Sequence, residues 1–186
     1  MAPAPLERHP ASWPLAGVQI YTGDGKGKTT AAFGLLLRAV GHGLGVFVGQ
    51  FMKSYPYGEL AGAQLLGERV VIEQLGSPEC LPWREQPAAV DVDLARAGLR
   101  RCRERMRSGE YALVVLDEAL VAVHFRLLTE ADLLAFLDER PPLVEVVLTG
   151  RWATPALVAR ADLVTELREV KHPYTRGWPA RDGIER

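Results

Sequence analysis

Val18-Gln19-Ile20-Tyr21-Thr22-Gly23-Asp24-Gly25-Lys26-Gly27-Lys28-Thr29-Thr30 runs from a short apolar segment straight into a turn rich in glycine and lysine. A strand that breaks into such a turn and then into a helix is a phosphate-binding loop. Its glycines let successive backbone N–H groups turn inward around anionic oxygens, Lys28 supplies a point charge, and the Thr29 hydroxyl reaches a bound Mg²⁺. The common form of the loop is G-x-x-x-x-G-K-[ST]. Here Thr22 stands five residues before Gly27, and the first glycine, Gly23, comes one residue later. The loop is therefore one residue tighter than the common one, and Lys26 adds a second cation within it. The pattern expects nucleotide binding through Gly23, Asp24, Gly25, Lys26, Gly27, Lys28, Thr29 and Thr30. Ordinary γ-phosphate hydrolysis does not follow from it.

Working outward, Val18–Tyr21 is the first strand and Lys28 to about Val40 its helix, closed by Gly41-His42-Gly43. Val46–Phe51 and Val70–Leu75 read as two further strands, the former apolar on both faces as in a buried parallel sheet. Pro87 to about Arg107 reads as a helix with Leu94, Ala97, Gly98, Cys102 and Met106 on one face, and arginines over the rest. Those arginines are expected to form a solvated face. Leu113–Glu118 is a fourth strand. Thr129 and Asp132 mark a helix start, and Pro141-Pro142 its stop. Val144–Gly150 is a fifth strand, Pro155–Ala161 a short helix, and Leu163–Val170 a sixth strand. Strands alternating with helices predict an α/β fold: a mostly parallel sheet of about six strands with helices on both faces, and a ligand at the carboxyl ends of the strands.

The chain has 186 residues, enough for one domain with a full core, expected over residues 17–186 behind a proline-rich arm at residues 1–16. A net charge of −1 argues against nucleic acid as the main partner. Two cysteines, Cys80 and Cys102, are too few for a disulfide scaffold and read as thiols of a reducing, cytoplasmic compartment. No apolar stretch approaches the roughly 20 residues that span a bilayer.

Leu113–Glu118 ends in two acids, Asp117 and Glu118. In phosphate-loop proteins an apolar strand ending this way places a carboxylate beside Mg²⁺, directly or through water, and either acid suits the role. The four histidines, His9, His42, His124 and His172, form no metal-ligand spacing, and no residue announces itself as a general base. That fits chemistry whose nucleophile arrives with the second substrate.

Gly23-Asp24-Gly25-Lys26-Gly27-Lys28-Thr29-Thr30-Ala31-Ala32-Phe33-Gly34 closely resembles the loop of the ATP:corrinoid adenosyltransferases of the CobA/CobO/BtuR type. The resemblance continues, in order, through Arg38–Gly43, Gln50-Phe51-Met52-Lys53, Val114–Glu118, Leu148-Thr149-Gly150-Arg151, Val164-Thr165-Glu166, Val170-Lys171-His172 and Gly183-Ile184-Glu185. It implies a RecA-like phosphate-loop domain that transfers the 5′-deoxyadenosyl group of ATP to the cobalt of a Co(I) corrinoid such as cob(I)alamin, releasing inorganic triphosphate. It implies that Gly23–Thr30 hold the triphosphate, that Thr29 and Glu118 touch Mg²⁺, and that Arg151 joins Lys28 at the phosphate end. It places Trp83, with Leu81 before it, against the corrin ring. Leu81 stands where the family usually has an aromatic residue, and Arg84 where it usually has an acid. A homodimer and an electron-donor protein such as a flavodoxin are implied as partners. Two other readings of the residues stand beside this one: a phosphate-loop kinase, and a nucleotide-dependent corrinoid-binding protein without turnover. The products separate them: triphosphate, ADP or none.

Overall fold

The computed structural model describes residues 15–77 and 86–185. Six strands form where the sequence is aliphatic: β1 (Val18–Thr22), β2 (Val46–Phe51), β3 (Val70–Leu75), β4 (Leu113–Asp117), β5 (Glu145–Thr149) and β6 (Leu163–Glu166). All their pairings are parallel, and they lie in the order β3-β2-β4-β5-β1-β6. β1 is thus threaded between β5 and β6, with Gln19 opposite both Val147 and Leu163. Parallel strands need helical crossovers, which cover both faces, so β2 is buried at every position.

Side-chain alternation along the strands splits the core in two. Val46 and Val48 of β2 and Leu113 and Val115 of β4 face helix α1 (Lys28–Gly41), meeting its Ala32 and Leu36. Phe47, Phe51, Val114 and Leu116 face the opposite layer of α3 (Ala89–Arg107), α4 (Ala119–His124), α5 (Glu130–Asp138) and α6 (Pro155–Arg160). α5 begins as its sequence requires. The Asp132 N–H donates to Thr129 Oγ1 at 3.1 Å, and the Thr129 N–H donates back to the Asp132 carboxylate at 2.8 Å.

Four details differ from the sequence expectations. A short helix α2 (Gly58–Gln64) and the six-residue α4 were not foreseen. Two glycines within α2, and the brevity of α4, hide any helical period. β6 stops at Glu166 instead of continuing to Val170: the Leu167 N–H still donates to the Thr22 carbonyl of β1 at 2.8 Å, but its carbonyl accepts from the Gly25 N–H of the loop at 2.7 Å. The buried face of α3 is Asp91, Ala95, Gly98, Leu99, Cys102 and Met106, while Leu94 and Ala97 are exposed. Gly98 sets that rotation: a Cβ there would lie 2.9 Å from the Cβ of Leu75, so the helix seats its barest point on β3. Four of the six α3 arginines are ion-paired. Arg101 and Arg105 hold Glu73, and Arg103 and Arg107 hold Glu139. No helix among the described residues is long and apolar enough to cross a membrane.

Gly49 fixes the distance between β2 and α3. A Cβ there would sit 2.5 Å from Cys102 Sγ and 3.0 Å from Leu75 Cδ1. Gly49→Ala is expected to cost about 1–3 kcal/mol by overpacking, read as a lowered melting temperature. The double variant with Cys102→Ala should recover part of the loss. Equal melting of Gly49→Ala and the parent would remove this constraint from α3.

Candidate functional site

The carboxyl edge of the sheet is where the backbone bends hardest. The residue following each of the four inner strands has positive φ: Gly23 after β1 (98°), Met52 after β2 (60°), Glu118 after β4 (60°) and Gly150 after β5 (140°). Two of these are not glycine, and such backbone costs about 1–3 kcal/mol per residue and collects at functional sites. Each bend turns the chain abruptly off the sheet, so that side chains from four strands converge on one cleft of about 690 Å³. It is lined by Asp24 to Thr30 of the loop, Phe33 of α1, Lys53, Tyr57 to Glu59, Glu118, Arg151, His172, and Gly183 to Glu185.

The loop is braced from behind. A Cβ on Gly23 would meet the Leu167 carbonyl oxygen at 2.4 Å, and one on Gly25 the Arg168 carbonyl carbon at 2.7 Å, so the segment after β6 packs against the loop backbone. Lys28, at the start of α1, folds back into the loop. Its Nζ donates to the carbonyl oxygens of Gly23 and Gly25, both at 2.7 Å. Burial, aided by the nearby Arg151, lowers its pKa. A buried ammonium held only by neutral carbonyls is an anion site with its cation in place. The second loop cation, Lys26, is engaged differently. Its Nζ donates to the Ile184 carbonyl at 2.7 Å and to the Glu185 carboxylate at 3.1 Å, which brings the Gly183-Ile184-Glu185 segment over the loop. Glu185 is itself paired with Arg181, whose hydrogen bonds hold the Glu185 carboxyl down to about 2. Arg151 reaches Asp24 across the cleft at 3.4 Å, with both side chains well exposed.

The two acids at the end of β4 occupy different worlds. Asp117 is fully buried. Its Oδ1 accepts from Thr29 Oγ1 at 2.9 Å and Thr149 Oγ1 at 2.7 Å, and its Oδ2 from Lys53 Nζ at 2.8 Å and Gln50 Nε2 at 3.3 Å. Glu118 takes the left-handed turn into α4, its N–H held by Thr149 Oγ1 at 3.0 Å, and its side chain lines the cleft. Burial, with the Asp117 charge second, raises the Glu118 carboxyl above its ordinary value. The Lys53 ammonium shows the reverse balance. Burial would lower it, but Asp117 and Glu59 together outweigh burial and raise it.

The donor set fits a divalent cation in one way. Thr29 and Glu118 both line the cleft beside the loop. Among the described residues no cluster of three or more His, Cys, Asp or Glu forms a closed cage. Mg²⁺ suits such a sparse set, since it keeps several waters and takes its other ligands from substrate phosphates.

The structure therefore gathers Asp24, Gly25, Lys26, Gly27, Lys28, Thr29, Thr30, Glu118 and Arg151 around one cleft, and sets Asp117 behind it. Gly23 contributes its carbonyl to Lys28. Leu81 and Trp83 lie outside the described residues. Sequence reasoning assigned no role to Gln50, Lys53, Glu59, His172 or the Gly183–Glu185 segment. A glutamine and a lysine closing an otherwise apolar strand were the available signal for the first two. The others come from distant parts of the chain and carry no local pattern.

The chain matches the family model described as ATP:corrinoid adenosyltransferase BtuR/CobO/CobP over residues 16–186. It is 37% identical over 175 residues to a corrinoid adenosyltransferase of Sinorhizobium sp, covering 89% of this chain and 78% of that one. A corrinoid adenosyltransferase of Pseudomonas aeruginosa is 36% identical over 167 residues, covering 89% and 81%. One of Escherichia coli K12 is 35% identical over 167 residues, covering 89% and 83%. Among solved structures, a KaiC-like protein of Pyrococcus horikoshii superposes with a TM-score of 0.54 at 16% identity, covering 80% of this chain and 71% of that one. That likeness bears on the fold alone, a phosphate-loop RecA-like α/β domain.

The raised Glu118 carboxyl has a stability consequence. Its folded pKa lies above the unfolded one, so its ionisation destabilises the fold as pH rises from the ordinary carboxylate range through the folded value. Glu118→Gln is expected to raise the melting temperature of the nucleotide-free protein at pH 7, and the gain should vanish below about pH 4, where both proteins are neutral at this position. Melting curves at the two pH values check it. A gain that persists in acid would assign it to something other than the charge.

Proposed function

Because this chain belongs to the ATP:corrinoid adenosyltransferase family BtuR/CobO/CobP, we propose that its cleft holds the triphosphate of ATP and presents ribose C5′ to a reduced corrinoid. The chain is a corrinoid adenosyltransferase. It transfers the 5′-deoxyadenosyl group of ATP to the cobalt of a Co(I) corrinoid and releases inorganic triphosphate. The observation that carries the placement of ATP is the buried Lys28 ammonium, bound only to loop carbonyls, with Lys26 and Arg151 beside it in the cleft.

Each residue then has a task. The electron pair of Co(I) attacks C5′, the C5′–O bond breaks, and its electrons leave on the triphosphate. No proton moves, so the step requires no general base. Lys28 exchanges its two carbonyl acceptors for phosphate oxygens, and the loop N–H groups and the first turn of α1 surround the same anion. Arg151, paired in the structure with the exposed Asp24, can turn toward the leaving triphosphate. Mg²⁺ held by Thr29 and Glu118 would neutralise further phosphate charge. The tight loop and the tail over Lys26 fix the polyphosphate, so the remaining freedom is where C5′ points.

The corrinoid belongs on the β3 side of the carboxyl edge. A small hollow lined by Met52, Leu75, Leu94, Ala95 and Leu127, with Asp91, Gly76 and Ser77 at its edge, lies there. Leu94, exposed against the sequence expectation, is part of that hollow. Trp83 is proposed to cover the corrin ring from residues 78–85, with Leu81 beside it. An apolar side chain at the lower face would keep axial ligands off cobalt and ease reduction to Co(I). An electron-donor protein of flavodoxin type supplies the electron. Exposed Leu163 and Val164 on edge strand β6 support a homodimer.

The deciding assay mixes the protein with ATP, Mg²⁺ and chemically reduced cobalamin. Adenosylcobalamin and triphosphate should form in equal amounts, and ADP would instead indicate a kinase. Lys28→Ala should lose turnover by at least about two orders of magnitude, as for loss of an electrostatic transition-state contact. Near-parental turnover in that variant would remove the loop from the chemistry. Trp83→Ala should leave ATP affinity unchanged and slow the reaction most when it starts from Co(II). A uniform loss explained by lowered stability would return Trp83 to a packing role.

A further inference from the structure

Lys53 belongs to no part of the reaction described above, yet it sits at the junction of the site's two walls. Its side chain is 15% exposed. Its Nζ bridges two carboxylates on different elements: Asp117 at the end of β4 at 2.8 Å, and Glu59 in the first turn of α2 at 3.1 Å. Gln50 Nε2 spans the same two acids, at 3.3 Å from Asp117 Oδ2 and 3.1 Å from Glu59 Oε1. Lys53 is aimed there by Met52, whose left-handed backbone turns the chain off β2. A glycine backs this turn, since a Cβ at Gly76 would meet the Lys53 N at 2.6 Å. The arrangement is therefore built into two strand ends at some cost in strain.

Asp117 has no oxygen free. Two hydroxyls share Oδ1, and an ammonium and an amide share Oδ2. A carboxylate offers about four lone-pair sites, and here all have donors. Glu118, one residue on, keeps its carboxylate toward the cleft. Without Lys53, two adjacent anions would lie near the same cation, and only the neutral Gln50 amide would join Glu59 to Asp117.

We propose that Lys53 is a positioning residue for adenosyl transfer: by bridging Asp117 and Glu59 it offsets the buried Asp117 charge, leaves Glu118 as the carboxylate that meets the incoming metal–ATP, and fixes the α2 wall of the cleft. The proposal rests on the reading of this cleft as the ATP site. Lys53 acts through the two acids and does not touch the substrate.

The test is a double-variant cycle read by metal binding, with catalysis as a second readout. Mn²⁺ is titrated without nucleotide and followed by electron paramagnetic resonance. Lys53→Met strips one positive charge from beside two carboxylates, so its Mn²⁺ affinity should rise by about tenfold or more. Asp117→Asn added to Lys53→Met removes the freed anion, and Mn²⁺ affinity should return to within about twofold of the parent. The ATP KM should be raised in Lys53→Met, and Lys53→Arg should resemble the parent in both readouts. Unchanged Mn²⁺ binding in Lys53→Met, or an Mn²⁺ affinity that stays raised in the double variant, would overturn the proposal. If Lys53→Met does not fold, the double variant decides alone: a folded protein with Mn²⁺ affinity within about twofold of the parent supports the pairing, and an unfolded one, or one that binds Mn²⁺ more tightly, defeats it. Failure of the ATP-site reading is recognised separately, since the parent would then form no adenosylcobalamin.

Discussion

One buried carboxylate holds the site together. Asp117 receives a hydroxyl from the start of α1, an amide from β2, an ammonium from the turn after β2, and a hydroxyl from β5. Three separate chain segments are thereby fixed to one point at the carboxyl edge of the sheet. Burying an anion costs several kcal/mol unless its lone pairs are filled, and here they are. The arrangement is also cooperative, because Thr149 passes its own hydrogen bond on by accepting the N–H of Glu118. The carboxylate that faces the cleft is thus oriented by the one that does not. Strand-end acids placed side by side in sequence have become a structural acid and a site acid, separated by a left-handed turn at Glu118.

Much of this fold was legible in the sequence. All six strands were found because buried parallel strands are nearly continuous apolar runs, and because glycines, prolines and the Thr129 cap punctuate them. The loop declared itself through its glycines, Lys28 and Thr29 between a strand and a helix, although its spacing is one residue tighter than the common one. What stayed hidden has physical causes. α2 contains Gly58 and Gly62 and buries no side chain fully, so no stripe marks it. The α3 face was rotated because Gly98, not the larger Leu94, meets the sheet, and close approach is set by the absence of a side chain. β6 was drawn too long because Leu167 and Val170 continue the apolar pattern, while the backbone at Leu167 is claimed by Gly25.

The candidate site was legible in part for a similar reason. Gly23 to Thr30, Glu118 and Arg151 lie in contiguous motifs or at strand ends, where topology alone brings them near. The tail that reaches Lys26 lies 158 residues away along the chain, and nothing in either segment names the other. Gln50 lies in a strand read as apolar on both faces, and Lys53 just beyond its end. Only the fold reveals that they meet an acid. Backbone strain tells the same story from another side. Left-handed residues follow all four inner strands on the edge that faces the cleft, and the two non-glycine cases, Met52 and Glu118, precede or carry a site side chain.

The threading of β1 between β5 and β6 has a consequence for how the protein is made. The first strand hydrogen-bonds to neighbours more than a hundred residues downstream: the Gly17 N–H to Glu145, and the Val18 N–H to Asp162. Translation delivers β1 and its phosphate loop first, but their neighbours last. While a ribosome is still short of Glu145, β2, β3 and β4 can already pair with one another, whereas β1 has no strand on either side. Non-local pairing of this kind slows folding and leaves strand edges open meanwhile. The strand that is synthesised first is therefore the one whose placement completes the sheet.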